Sequence, residues 1–338
     1  MKRTDLFLAA VGIVLVTGIL LSQNNSSKPE EKIGYAMDTQ VRMVIYDKNK
    51  DENIINEAYN EMVRLDKLFS NFNENSQTSI LNRKKECVVS DEFAEIIAKS
   101  KEISEKTNGA FDLTVYPLTK MWHYKNVYVP GDGEIVTAKQ KIDYRNIVTD
   151  GNKVTLKNDA EIDVSSIAKG YIADRVLEFL SEKGIENALV DAGGNIKVMG
   201  SPSKNKNNGF VIGIQDPKKS TGIPLGQITI KDTSVVTSGI YERNFEKDGK
   251  FYHHIIDIKT GYPSESDVLS VSVITEESAV ADAYATAIVV MGAKEGLKLI
   301  EETDGLECII VRKDNKIMLS EGAKTFVLTN DEYTVAEE

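Results

Sequence analysis

The segment Ala281-Asp-Ala-Tyr-Ala-Thr286 lies inside a run, Ala279 to Met291, rich in Ala, Val, Ile and Met. A helix that is apolar nearly all round belongs in the interior. Any fold for this chain must therefore bury a helix that carries a carboxylate, and an unpaired carboxylate there costs several kcal/mol. Asp282 and Thr286 are four residues apart and share one helix face. Their oxygens are hard donors, better suited to Mg²⁺ than to zinc. The competing reading is structural: Asp282 is capped by backbone amides, and Thr286 bonds the carbonyl four residues back in its own helix. The segment alone leaves both readings open.

The chain has 338 residues, 41% of them hydrophobic and 28% charged, enough for a sizeable core. Its 41 Lys and Arg against 52 Asp and Glu give a net charge of -11, which argues against a nucleic-acid partner. Cys87 and Cys308 lie in no C-x-x-C pattern and provide no disulfide framework. Lys2 and Arg3 precede an uncharged apolar run from Leu6 to Leu21, followed by the polar tether Ser22-Gln-Asn-Asn-Ser-Ser-Lys-Pro. No Cys follows the run and no A-x-A site is visible, so the expectation is an uncleaved N-terminal membrane anchor with the body extracytoplasmic; cleavage and secretion is the alternative.

Residues 1–30 are thus read as anchor or signal segment plus linker, and 31–338 as one catalytic domain. Val41 to Tyr46 alternates like a strand. Asp51 to Phe69 reads as a helix with Ile54, Ala58, Met62, Leu65 and Phe69 on one face. Ser90 is placed to cap a second helix that stops at Asn108-Gly109, and Ser165 or Ser166 to cap a third that ends at Gly184. Strands are expected at 187–190, 210–214, 227–230, 269–274, 308–312, 316–319 and 325–328, several joined by short polar turns such as Lys313-Asp-Asn-Lys316. The expected class is α+β, with largely antiparallel sheets packed with helices as two intimately associated lobes.

Four other segments combine unusual backbone with chemistry. Gly109-Ala-Phe-Asp112 allows a flat ligand to approach the amides, with Asp112 as acceptor, or is a loop whose Asp caps a turn. Asp163-Val-Ser-Ser-Ile-Ala-Lys169-Gly170 runs from a strand end into a helix start, where free amides and a Lys favour phosphate, although no Walker A loop is present. Val190-Asp-Ala-Gly-Gly-Asn195 is a ligand-approaching turn or a plain one. His253-His254 on a strand point to opposite faces, so His254 can serve a site as proton carrier or cation, unless both are surface residues beside a turn. Ser238 lacks a G-x-S-x-G elbow, which leaves a Ser hydrolase poorly supported.

In this order, the segments Gly109 to Thr114, Asp163 to Gly170, Asp191-Ala-Gly-Gly, Ser238-Gly-Ile-Tyr, His254-Ile-Ile-Asp257 and Asp282 to Thr286 resemble the ApbE family, the FAD:protein FMN transferases, from Met37 to Gly292. The resemblance implies an enzyme that takes FAD and Mg²⁺ and joins FMN by a phosphoester to a Thr or Ser of an extracytoplasmic flavoprotein of electron transport, releasing AMP. It implies metal ligands at Asp282, Thr286 and the Ser166 carbonyl. It implies flavin and adenosine contacts at Met37, Phe72, Ala110, Phe111, Asp112, Asp163, Lys169 and around Ile256. His254 is the candidate for proton transfer or charge stabilisation, with Asp282 the second catalytic candidate through the cation it holds. The family's Met-Gly-Thr reads Met37-Asp38-Thr39 here, which adds a side chain and a negative charge. Two other functions fit the same residues: an Mg²⁺-dependent FAD pyrophosphatase giving FMN and AMP, and a non-catalytic flavin-binding surface protein.

Overall fold

A computed structural model of the chain describes residues 28–48, 51, 53–122, 127–202 and 209–336. The run Leu6 to Leu21, where the anchor is expected, lies outside the described residues. Among the described residues, no helix is long and apolar enough to cross a membrane.

The frame is a nine-stranded sheet in the order Glu30–Ala36, Thr39–Ile45, Ala188–Ala192, Asn195–Met199, Ser234–Gly239, Val268–Thr275, Glu307–Arg312, Lys316–Leu319 and Thr334–Val335. Every neighbouring pair is antiparallel except the last, which is parallel. Side chains of a strand alternate between faces, and both faces of this sheet are covered. On one face Val190, Val236, Val273 and Ile310 pack under the helices in the main core. On the other, Leu189, Val235, Ile274 and Ile309 pack against Phe210, Ile212, Leu225 and Ile228 of a small sheet. Coverage on both sides explains why Cys308-Ile-Ile-Val311 is an unbroken buried run. The mixed, largely antiparallel α+β class is what the sequence led us to expect.

The helix over Ile54–Phe69 buries Ile55 where the periodicity pointed to Ile54, and Ala58, Met62, Leu65 and Phe69 as expected. Ser90 Oγ accepts from Phe93 N at 3.3 Å and starts the helix Asp91–Lys106. That helix gives way to Asn108 and Gly109, both at positive φ. The capping expected of Ser165 or Ser166 is corrected: the helix Ser165–Glu182 starts after Val164 with no side-chain cap. Instead, Asp163 Oδ1 accepts from Ser165 N at 2.9 Å, an aspartate turn just outside the helix. Residues 321–325, whose last residue was expected to begin a strand, form a 3-10 turn, and only Val327–Leu328 pairs.

The apolar run becomes the helix Ser278–Met291, in which Ala279, Ala281, Ala283, Ala285, Ala287 and Ile288 are wholly buried. Its first amides are satisfied by another helix: Asp174 Oδ1 accepts from Ser278 N and Oδ2 from Ala279 N, both at 2.9 Å. A Lys197 ammonium pairs with Asp174 and balances the charge. The two helices cross at Gly170. A Cβ there would lie 2.1 Å from the Ser278 carbonyl oxygen and 2.7 Å from Ala279 Cα, so only glycine admits the crossing.

Candidate active site

The crossing decides the surroundings of Asp282. Gly170 N donates to Asp282 Oδ2 at 3.1 Å. In a regular α-helix that N–H points at the Ser166 carbonyl, an oxygen with a second lone pair to offer a further partner. Thr286 Oγ1 donates to the Asp282 carbonyl at 3.2 Å. Both elements of the structural reading are thus in place, a carboxylate bonded by an amide and a hydroxyl bonded back to its helix. Acceptor capacity is left over all the same. Asp282 is 3% exposed, yet its Oδ1 accepts no hydrogen bond among the described residues. Burial pushes its carboxyl above the usual range, opposed by the Lys169 ammonium, the Gly170 amide and the nearby Asn195 side chain. The Asn195 amide helps hold the charge although no acceptor meets its Nδ2 in good hydrogen-bond geometry.

Among the described residues no group of three or more His, Cys, Asp and Glu is placed to hold a metal. One carboxylate oxygen, one hydroxyl and one backbone carbonyl make a different donor set, all oxygen, which fits a hard cation whose other ligands come from elsewhere. A carboxyl raised by burial is also the kind that gains most from an adjacent cation.

Lys169 stands one residue from the crossing, its Nζ 3.1 Å from Asn195 Oδ1. The Gly193-Gly194 turn brings the hairpin tip alongside. Both glycines have positive φ, and a Cβ on Gly193 would strike Thr39 Oγ1 at 2.3 Å. Ala36 pairs with Thr39, so Met37 and Asp38 form a two-residue turn, both at positive φ, the geometry of a type I′ hairpin. Met37 N donates to Asp66 Oδ2 at 3.0 Å. Asp38 accepts from Tyr35 OH at 3.0 Å and faces Arg243 at 3.6 Å.

Arg243 in turn leads to His254, whose N–H donates to the Arg243 carbonyl at 3.0 Å. Burial, then Arg243, His253 and Lys169, push the His254 imidazole down to about 3, so it is neutral, and its Nδ1 is buried without a hydrogen-bond partner. Glu242 reaches solvent, yet it is crowded enough by protein that burial raises its carboxyl. The idea of two surface histidines is corrected by His253, which is 5% exposed, with Nε2 on the Ser264 carbonyl at 2.8 Å and Nδ1 accepting from Ile255 N at 3.3 Å.

The other expected contacts divide by depth. Phe72 is 93% exposed, a free aromatic face. Ala110 and Phe111 are buried in the main core, so that loop offers its backbone rather than a ring. Asp112 is buried too. Its Oδ1 accepts from Thr114 N and Oγ1, both at 2.7 Å, and Oδ2 from Tyr144 N at 2.9 Å, the turn-capping alternative of the sequence reading. Burial lifts its carboxyl to about 6. Asp163 joins this loop to the lysine helix, its N–H donating to the Leu113 carbonyl at 2.8 Å and its Oδ2 accepting from Thr119 Oγ1 at 3.2 Å. Ile256 is buried among Leu118, Trp122 and Phe245. Gly109 lies against Ile258, two residues on, which ties the loop to the His254 segment.

The model of the ApbE family matches residues 37–310, which spans the hairpin tip, the lysine helix and the central helix. The chain belongs to the ApbE family. It is 33% identical over 237 residues to the FAD:protein FMN transferase of Klebsiella pneumoniae, covering 69% of this chain and 72% of that one. It is 33% identical over 251 residues to the enzyme of that name from Treponema pallidum, covering 70% and 69%. Among solved structures, the ApbE protein of Thermotoga maritima superposes with a TM-score of 0.82 at 34% identity over 89% of this chain and 100% of that one. The flavin transferase ApbE of Vibrio cholerae does so at 0.78 and 25%, over 89% and 100%. As an ApbE protein the chain is a transferase, an enzyme rather than a passive flavin holder. Sequence reading passed over Asp174, and met Asn195 and Arg243 only as the end of a turn and a cation beside hydroxyls. Asn195 and Asp174 act through contacts 23 to 105 residues away in the chain, which no local pattern marks.

Proposed function

We propose that this chain transfers the FMN half of FAD to a Thr or Ser hydroxyl of an extracytoplasmic flavoprotein of membrane or extracellular electron transport, in the presence of Mg²⁺ and with release of AMP. The observation that carries the reading is the Gly170 crossing, which sets Lys169 and the buried Asp282 carboxylate, bonded by the Gly170 amide, together in an ApbE chain. The name shared by the curated relatives states both ends of their reaction, FAD and a protein.

In this reaction the acceptor oxygen attacks the phosphorus on the FMN side. A P–O bond to the acceptor forms as the P–O bond to the AMP phosphate breaks, and AMP leaves with that electron pair. The hydroxyl proton goes to the His254 imidazole, which is neutral and has an unpartnered nitrogen. Lys169, steadied by Asn195, faces the negative charge of the phosphoryl oxygens. Asp282, Thr286 and the Ser166 carbonyl would hold the divalent cation, which neutralises diphosphate oxygens and makes AMP a better leaving group. The exposed ring of Phe72 supports a stacking contact with the flavin, with Met37, Asp163 and the backbone of Ala110 and Phe111 framing it and Ile256 beneath. Asp112 shapes that loop from below.

The test mixes residues 28–338 with FAD, Mg²⁺ and an acceptor domain, and looks for a flavin-fluorescent acceptor band on a denaturing gel. The band is expected; AMP and FMN released with no acceptor labelled would instead establish the pyrophosphatase. Asp282→Ala should lower the labelling rate at least about 100-fold by losing the cation, and a rate unchanged at low Mg²⁺ would remove Asp282 from the ligand set.

A further inference from the structure

We infer that Arg243 is a second contact for the phosphate oxygens of the dinucleotide, and that Asp38 is the internal anion that occupies it until substrate enters; the inference rests on the FAD reading above. Arg243 is held at the right place by its main chain, whose carbonyl accepts from His254 N. Its guanidinium is only loosely paired. The closest carboxylate oxygen, Asp38 Oδ2, is 3.6 Å away, beyond hydrogen-bond reach, and among the described residues none of its side-chain N–H groups donates to anything. Other arginines here grip their partners: Arg64 contacts Glu61 and Glu92 at 2.5 to 2.7 Å, and Arg145 meets Asp143 through both oxygens at 2.7 to 3.0 Å. A planar fork of donors is suited to two-point binding of phosphate, and one that faces a carboxylate without gripping it is ready to exchange partners.

Location gives the exchange its direction. Glu242 and His254 each feel both Lys169 and Arg243, so the two cations lie in one neighbourhood. The Arg243 and Asp38 side chains are 36% and 42% exposed, so an incoming anion can reach them. Asp38 occupies a positive-φ turn position that Gly or Asn would fill with less strain, and its carboxylate is held toward Arg243 by the Tyr35 hydroxyl at 3.0 Å.

Titration of intrinsic flavin fluorescence with FAD and, separately, with riboflavin tests this without turnover. Arg243→Gln should weaken FAD binding on the order of 10-fold, leave riboflavin affinity unchanged and flatten the salt dependence of FAD binding. Asp38→Asn keeps a residue that tolerates the turn and should tighten FAD binding by removing the competitor, again with riboflavin unaffected. Equal FAD affinity in the wild type and both variants, or equal losses for FAD and riboflavin, overturns the role of Arg243 while the transferase reading stands. A wild-type chain that binds riboflavin and FAD equally, or neither, overturns both.

Discussion

At the scale of the residue, His254 has the most legible pH behaviour. Its imidazole is held down to about 3 by burial, by Arg243 and by Lys169, whereas in the unfolded chain it titrates near its ordinary value of about 6.5. The unfolded state therefore binds the extra proton first, and stability is fully present above about 6.5 and falls as the pH drops toward 3. Asp112 acts in the opposite sense. Its carboxyl is raised to about 6, so the folded state binds that proton first and stability is lost as the pH rises through that value. The two can be separated by difference. Urea unfolding of the wild type and of His254→Gln between pH 6.5 and 4 should give curves whose separation changes by up to about 1.4 kcal/mol per pH unit. Parallel curves would mean that the imidazole titrates in the folded protein as it does in the unfolded chain, and that its surroundings do not hold it neutral. The site itself was readable at this scale wherever a residue type carried the chemistry unaided, as with Asp282, Thr286 and Lys169. Arg243 and Asn195 escaped because their meaning lies in what they face.

Among the elements, the crossing of the helices Ser165–Glu182 and Ser278–Met291 is the joint on which the site depends. The two share three devices: Gly170 against Ser278, Gly170 N on Asp282, and Asp174 capping the amides of Ser278 and Ala279. Gly170→Ala forces the helices apart, since a real Cβ is not found 2.1 Å from a carbonyl oxygen. The expected loss is about 3 kcal/mol or more, in the range of overpacked cores, accompanied by loss of the Asp282 contact. Gly133→Ala is the control. It lies in the helix Asp132–Lys139 with nothing within 4 Å of its added Cβ, and should be neutral or stabilise by up to about 1 kcal/mol. Equal melting temperatures for the two variants would refute the crossing. Elements with a clean period were legible from the sequence, among them the helices Ile54–Phe69 and Asp91–Lys106 and the strand Lys316–Leu319. Glu30–Ala36, Asn195–Met199 and Ser234–Gly239 were not. The first looks like the end of a polar tether, the second carries Lys197 to its partner Asp174, and the third is interrupted by hydroxyls that bond across the sheet, Thr237 to Ser272 at 2.7 Å. Each breaks its own pattern to serve another element.

For the whole molecule, the ordered motifs were legible because each demands a special backbone or a special donor, while the sheet that brings them together was not, because its strand order joins residues 39–45 to 188–192 and 195–199 to 234–239. Such pairings are set by burial on both faces and leave no local mark. The remaining expectation about the molecule as a whole concerns where it works. Two cations precede the apolar run Leu6 to Leu21, and the described body begins its first strand at Glu30, so the positive flank should stay inside and the body should emerge on the other side. A net charge of -11 disfavours holding the body on an anionic membrane by overall charge. Attachment is then expected to come from the N-terminal segment. Full-length chain expressed in bacteria is expected in the membrane fraction after a high-salt wash, digestible by protease added to spheroplasts, with an intact mass that includes the apolar run. Deleting residues 1–27 should leave a water-soluble body that still binds FAD. A full-length chain released by salt, or a mature mass lacking the run, would show that the protein is held by charge or secreted, and would move flavin transfer away from the membrane surface.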